Sequence, residues 1–472
     1  MDSRNHSGSV TGLARGREAG RIGVVLPYWD FWETSVPWDF RADREALLAE
    51  AVDIASRVGV VAVAALLSDE QTATALRPAI QDLDALVIVS TMAAPSATTM
   101  ALVAGVTNVP ILVWALSQLP HLAEGFSHTD ITTAGSPVGT PMVTSALARA
   151  QMRFDVVATS IREPEAAVMA IRSVVTAGRI ARGPLLVIGS PIPGYTTVVP
   201  PTESDFPINE VAVPAEVFAN SAHSSSTEQV QLRIAEIREQ FDVQSNVSEL
   251  SIQRAAQAEV ALREIVQKTG AVAGTINCHE TALRGNPDFG IAPCLALGRL
   301  TTDGVPFTCT GDVLTAVAMF ALQSLGYPTL YHEVEAIDFE NDEVVLANSG
   351  EHDLGLCPHR AALVPNHWYS HNAIVGPCAL YSIPAGPASL VAFVMAPGPR
   401  FIVAEGRFTG HSYLETGVPN AGFRFQGKQV QDAWAQWAKA GVTHHSAATN
   451  AHVADAIHRV ASHLNADVVQ VS

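Results

Sequence analysis

Positive charge is scarce in this sequence: 28 Lys and Arg stand against 46 Asp and Glu, a net charge of −18 over 472 residues. That balance argues against nucleic acid as a partner, because phosphate contacts need clustered Lys and Arg. Cysteine is also sparse. The five thiols, at positions 278, 294, 309, 357 and 378, are odd in number and form no CxxC. A structural zinc site or a disulfide framework is therefore not expected, and a reducing, cytoplasmic setting fits better. No apolar window reaches the roughly 18 residues that a membrane span requires. The opening stretch MDSRNHSGSVTGLARGREAG lacks an apolar core. Residues 1–20 thus read as a disordered tail and not as a signal peptide. Neither GxGxxG nor a Walker pattern occurs, so no nucleotide-phosphate loop is indicated.

What is present is apolar. Hydrophobic residues make up 48% and charged residues 16% of the chain, enough to fill several cores. Short apolar runs at Ile22–Leu26, Val60–Ala64, Ala85–Ser90 and Pro110–Leu116 read as buried strands, with helical spacing between them, as over residues 41–57. Strands alternating with helices indicate a parallel sheet covered on both faces, with ligands at the carboxyl ends of the strands. Thr133–Thr140 (TAGSPVGT) reads as a connecting loop before a helical pattern at 141–153. A second unit begins near residue 176, with PLLVIG as its first strand and long helical patterns over 226–268. From about 346 the texture changes to strands such as ASLVAFVMA and RFIVAEGRF between Pro and Gly turns. The last forty or so residues return to helix, with QDAWAQWAKAG ending at Gly441 as a C-cap.

Three clusters place ionisable groups at the ends of regular elements, where a rigid scaffold aims them. They are Asn277-Cys278-His279-Glu280, then Cys309-Thr310-Gly311-Asp312 with the later Tyr331-His332-Glu333, and His444-His445. Each has a plain structural alternative. Asp312 serves equally well as a helix N-cap. His332 and Glu333 would alternate across a strand, one buried and one exposed. The two adjacent histidines would make a solvated turn.

The segment GVPFTCTGDVLTAVAMFALQSLGYPTLYHEVEAIDFENDEVVLANSG resembles the core of the L-fucose/L-arabinose isomerase family. There a CEGD-like turn opens a helix, a strand ends in a metal-binding carboxylate, and an HCG-like turn follows. The element Ala440-Gly441-Val442-Thr443-His444-His445 is similar to the family's C-terminal histidine element, and VVLPYWDFWE to the start of its fucose-isomerase branch. The resemblance implies an α/β chain of two doubly wound parallel-sheet (flavodoxin-like) domains, over residues 21–175 and 176–345. A mostly β domain over 346–472, with terminal helices, would complete it. It implies aldose–ketose isomerisation through an ene-diol on a divalent metal, most simply Mn²⁺. Glu333, Asp312 and Glu280 would be catalytic. Glu333, His445 and His352 would hold the metal, with His444 the other candidate histidine. His279, Thr310, Asn348 and Trp29 would contact the sugar. A homo-oligomer, trimer to hexamer, is implied as well.

Two positions depart from that pattern. Thr310 stands where the family has a catalytic glutamate, and Asn348 where it has a histidine. A different carbohydrate reaction on the same scaffold, such as C–C cleavage or epimerisation, is the alternative these replacements suggest. A non-catalytic sugar-binding protein is a third.

Overall fold

The computed structural model describes residues 20–204, 206–369, 372–395 and 397–471. The tail expected over residues 1–20 lies, but for Gly20, outside the described residues. The chain divides into two compact units.

The first unit runs up to Arg182 and takes in Asp455–Asp467 as well. Its sheet contains β1 (Arg21–Pro27), β2 (Val60–Leu67), β3 (Ala85–Ser90), β4 (Ile111–Ser117) and β5 (Phe154–Ser160), in the order β2-β1-β3-β4-β5. All four pairings are parallel. This is the doubly wound order of flavodoxin-type sheets, as expected from the sequence. The central strands are buried nearly end to end, which is why they read as continuous apolar runs. The sheet separates two apolar layers. One contains Val24, Val87, Leu112 and Trp114, the other Val25, Leu86, Ile88 and Val113.

The second unit comprises Gly183–Ala454 and the chain from Val468. Its parallel sheet holds β6 (Pro184–Ile188) and β7 (Asn209–Val213). A two-residue strand, β8 (Asp242–Val243), lies outside it, and β9 (Ala273–Ile276) and β10 (Phe307–Cys309) complete it in the order β10-β9-β6-β7. Counted from its own first strand, this is the same 2-1-3-4 winding.

A seven-stranded sheet follows. It contains β11 (Leu330–Asp338) and β12 (Glu343–Ala347). A small separate sheet joins β8 to β13 (Ala362–Pro365) and β14 (Pro377–Leu380). The large sheet resumes with β15 (Gly386–Val394), β16 (Arg400–Phe408), β17 (Asn420–Phe425), β18 (His445–Thr449) and β19 (Asp467–Val471). Its order is β15-β18-β11-β12-β17-β16-β19.

Three boundaries differ from the sequence expectation. A division at 175/176 would cut the helix Glu165–Arg182, which packs on the first sheet. A division at 345/346 would cut β12, and the large sheet already begins at β11. The central and C-terminal regions therefore form one unit, because β11 pairs with β12 and β18. Thr133–Thr140 is not a loop throughout. A helix starts at Ser136, with Pro137 in its first turn, where a missing N–H costs nothing. No helix among the described residues is long and apolar enough to cross a membrane.

Candidate metal centre

The site is built where β11 and β18 run antiparallel. Glu333 and His445 are Cα partners across that ladder, so their side chains stand side by side on one face. His445 Nε2 lies 3.2 Å from Glu333 Oε1. The other ring nitrogen, Nδ1, lies 2.8 Å from Asp312 Oδ2. His444 precedes β18, and its ring lies 3.7 Å from that of His445. Ligand atoms of Glu333, His444 and His445 all fall within 4.8 Å of one another, so these three side chains could hold a metal ion.

Asp312 does two things at once. One carboxylate oxygen accepts the Thr315 N–H at 2.8 Å and so caps the helix Val313–Ser324. The other accepts the Thr315 hydroxyl and pairs with His445. The plain reading, a helix N-cap, is therefore met, and the same carboxylate also faces His445. A carboxylate on the far nitrogen of a ligating imidazole fixes its tautomer and orientation.

The turn before Asp312 is tight. Thr310 and Gly311 both have left-handed backbones, at φ 60° and 78°. A Cβ on Gly311 would come within 2.7 Å of Pro191 Cα, so only glycine fits there without displacement.

Burial alone would lower the His445 pKa, but the hydrogen bonds to Asp312 and Glu333 outweigh it and raise it to about 9. Burial pushes the other way on Glu333 too, yet the His445 contacts hold its carboxyl below the ordinary value. His444 is lowered, by partial burial and then by the charge of His445. Glu335 sits at a bulge in β11. Its carboxyl is raised to about 7 by desolvation and by the charge of Glu333, to which it hydrogen-bonds.

Not all of the expected residues join this group. His352 does not. It is buried, with its ring against Tyr381 and close to the helix backbone at Gly298, and burial lowers it to about 4. A neutral imidazole packed in that way is a core residue. Glu280 instead accepts the Ser190 N–H at 3.0 Å, and Asn277 Nδ2 donates to Ser190 O at 2.6 Å. Together they tie the loop after β9 to the loop after β6, at the winding-reversal point of the second parallel sheet. His279 is exposed beside them. Thr310 is buried and its hydroxyl donates to Cys309 O at 2.7 Å. Asn348 is buried, with Oδ1 on the Ser349 N–H at 2.6 Å. Trp29 belongs to the first unit, stacked on Phe31 at 4.5 Å between ring centroids. Sequence reasoning did not single out Glu335, whose only signal is its place two residues after Glu333.

Among the groups of this unit that bind protons more tightly here than as free side chains are His445 (about 9), Glu351 (about 8), Glu335 (about 7) and Asp353 (about 6). A raised folded pKa contributes stability below the ordinary value and loses it as pH rises through the folded value. The buried His332 and His352, lowered to about 4, stay neutral across that range. Cys278, drawn well below its ordinary value, works the other way, so the His445 contribution is read against a variant. With metal chelated, His445→Gln is expected to lose less melting temperature than wild type between pH 6.5 and 9, because it has no such proton to give up. Calorimetry in chelator reads the difference, and an equal or larger fall in His445→Gln would contradict it.

No family model matches the chain, and no curated protein matches it.

Proposed function

We propose that this chain is a metal-dependent isomerase that interconverts an aldose and a ketose through an ene-diol, as the resemblance of its catalytic segment implies. One observation carries the reading: Glu333 and His445 face each other across two strands, with the rear nitrogen of His445 held by Asp312. The donor set suits a hard or borderline divalent ion, and Mn²⁺ is the cation we favour. When bound, the cation draws electron density from the sugar's carbonyl oxygen.

The chain's own residues do the rest. Asp312 holds His445 in one orientation. Glu333, about one-third exposed, is open to the solvent side and takes a proton from the carbon beside the carbonyl. Glu335, hydrogen-bonded to Glu333 and protonated up to about pH 7, returns one to the neighbouring carbon. Placed carboxylates of this kind contribute about 10²–10⁴-fold. The natural setting we favour is a cytoplasmic homo-oligomer.

A second reading rests on Thr310. Its hydroxyl is spent on a backbone carbonyl, so the turn supplies no acid or base where the family has a glutamate. Rerouted ene-diol chemistry, either C–C cleavage or epimerisation, follows if the proton is returned elsewhere.

Metal analysis of the purified protein, then a screen of pentoses and 6-deoxyhexoses in D₂O with that metal, separates these outcomes. Isomerisation is expected to give ketose with deuterium exchange beside the carbonyl. An epimer or a cleaved product supports the second reading. Absence of any bound divalent metal, or full activity in Glu333→Ala, would overturn the metal-dependent reading.

A further inference from the structure

Behind the turn that carries Asp312 lies a group of buried side chains with no part in the chemistry above. Cys278 follows β9 and Cys309 ends β10, neighbouring parallel strands in which Cys309 pairs with Ile276. The chain doubles back after β9, with the Cys278 N–H on Ile276 O at 3.1 Å. The same carbonyl accepts the Gly311 N–H at 3.4 Å. Both loops thus converge on one oxygen, which sets Cys278 beside Cys309. Both are at most 2% exposed, yet the next residue, His279, is exposed, so Cys278 lies one residue below the surface.

A third group marks the place as unusual for a core. Glu351 is 0% exposed, and neither carboxyl oxygen has a hydrogen-bond partner of good geometry. Burial, and after it the charge of Cys278, push it up to about 8. A buried polar group left this poorly satisfied needs a reason.

We infer that Cys278 and Cys309 form a peroxide-sensitive dithiol, a modification site that closes to a disulfide beneath the turn carrying Asp312. The Cys278 thiolate is the attacking form. The neighbouring Cys309 thiol, and after it His279 and Arg284, draw its pKa below the ordinary value despite burial. Its sulfur displaces hydroxide from the peroxide O–O bond and becomes a sulfenic acid. The Cys309 sulfur then attacks that sulfur and expels the second oxygen as water. Two thiols and one hydrogen peroxide give one disulfide and two waters. The remaining thiols are placed otherwise. Cys294 lies against Ser349 and Asn366, Cys378 donates to backbone carbonyls, and Cys357 donates to His359 O.

The test uses the full chain, reduced, freed of reductant and treated with a small excess of hydrogen peroxide. The protein is then unfolded in guanidinium chloride, its free thiols are capped with N-ethylmaleimide, and it is digested without reductant for mass spectrometry. Two of the five thiols are expected to become unreactive, a peptide linking Cys278 to Cys309 to appear, and dithiothreitol to restore both. Cys309→Ser should lose the crosslink and leave a dimedone-reactive sulfenic acid on Cys278, whereas Cys357→Ser should keep the crosslink. The wild-type readout needs no variant to fold. Cys278 and Cys309 both remaining alkylatable while Cys357 oxidises, or Cys278 passing to sulfinic acid without a crosslink, would overturn the inference.

Discussion

Asp312→Asn is expected to leave the fold intact and weaken divalent metal binding by about 10- to 100-fold, the usual effect of removing a carboxylate behind a ligating histidine. The residue separates two roles that a cruder change would confuse. Asparagine caps a helix about as well as aspartate, so the Thr315 N–H keeps its acceptor. Its side chain cannot supply the negative charge that Asp312 offers His445 Nδ1. Asp312→Ala removes both, and adds a capping loss of about 1 kcal/mol. Titration calorimetry with Mn²⁺ gives the affinities, and urea unfolding gives the stabilities. The expected pattern is a loss of affinity and of the His445 pairing in both variants, with the further capping loss in alanine alone. Equal metal affinity in wild type and Asp312→Asn would remove Asp312 from the site.

Glu259→Ala should cost about 3–5 kcal/mol of stability, the range for breaking a buried ion pair from one side. Glu259 is 0% exposed and lies on the helix Glu249–Thr269. Arg299 Nε reaches it at 2.6 Å and Arg263 Nη2 at 2.7 Å, with Arg233 at 3.8 Å. Arg299 also bonds Glu236 at 3.0 Å and contacts Gln240. Three helices are thereby pinned around one carboxylate. Removing it leaves mostly buried guanidinium groups with too little negative charge. A Glu259→Met, Arg299→Met double variant should lose markedly less than the sum of its single changes, because neither partner is then left alone. Urea denaturation measures all three. A loss below about 1 kcal/mol in Glu259→Ala would place the network among ordinary surface pairs.

Much of the architecture was legible in the residues. Ala85–Ser90 and Arg400–Phe408 were read as strands and form β3 and β16 with those limits. Both are apolar runs closed by turn residues, so local pattern and tertiary role agree. β5 was not found. It lies at a sheet edge, its residues are only partly buried, and FDVVATS lacks a continuous apolar run. The union of β11 and β12 with the C-terminal strands was not found either, since that pairing spans about a hundred residues and leaves no local trace.

The site divides in the same way. Glu333, Asp312 and His445 are candidates in the sequence; the antiparallel register of β11 and β18 pairs Glu333 with His445, and the cap of the helix Val313–Ser324 sets Asp312 behind His445. His352 was named and lies elsewhere, because it extends past the chain reversal at Gly350 into a packed interior. Glu335 had no sequence signal, since a lone glutamate on an exposed strand position is ordinary. The meeting of Cys278, Cys309 and Glu351 depends on loops from three separate elements, so nothing in any one segment announces it.

The course of the chain after Ala454 has a consequence for synthesis. Residues Asp455–Asp467 belong to the first unit, and the chain then re-enters the second, where β19 edges the large sheet beside β16. Domains tend to fold in order as they leave the ribosome. Here neither unit can be completed in that order. The N-terminal unit must wait for Asp455–Asp467 while all of the other but β19 is made. A nascent chain halted between β18 and Asp455 would present two unfinished cores to the cell's chaperones and proteases.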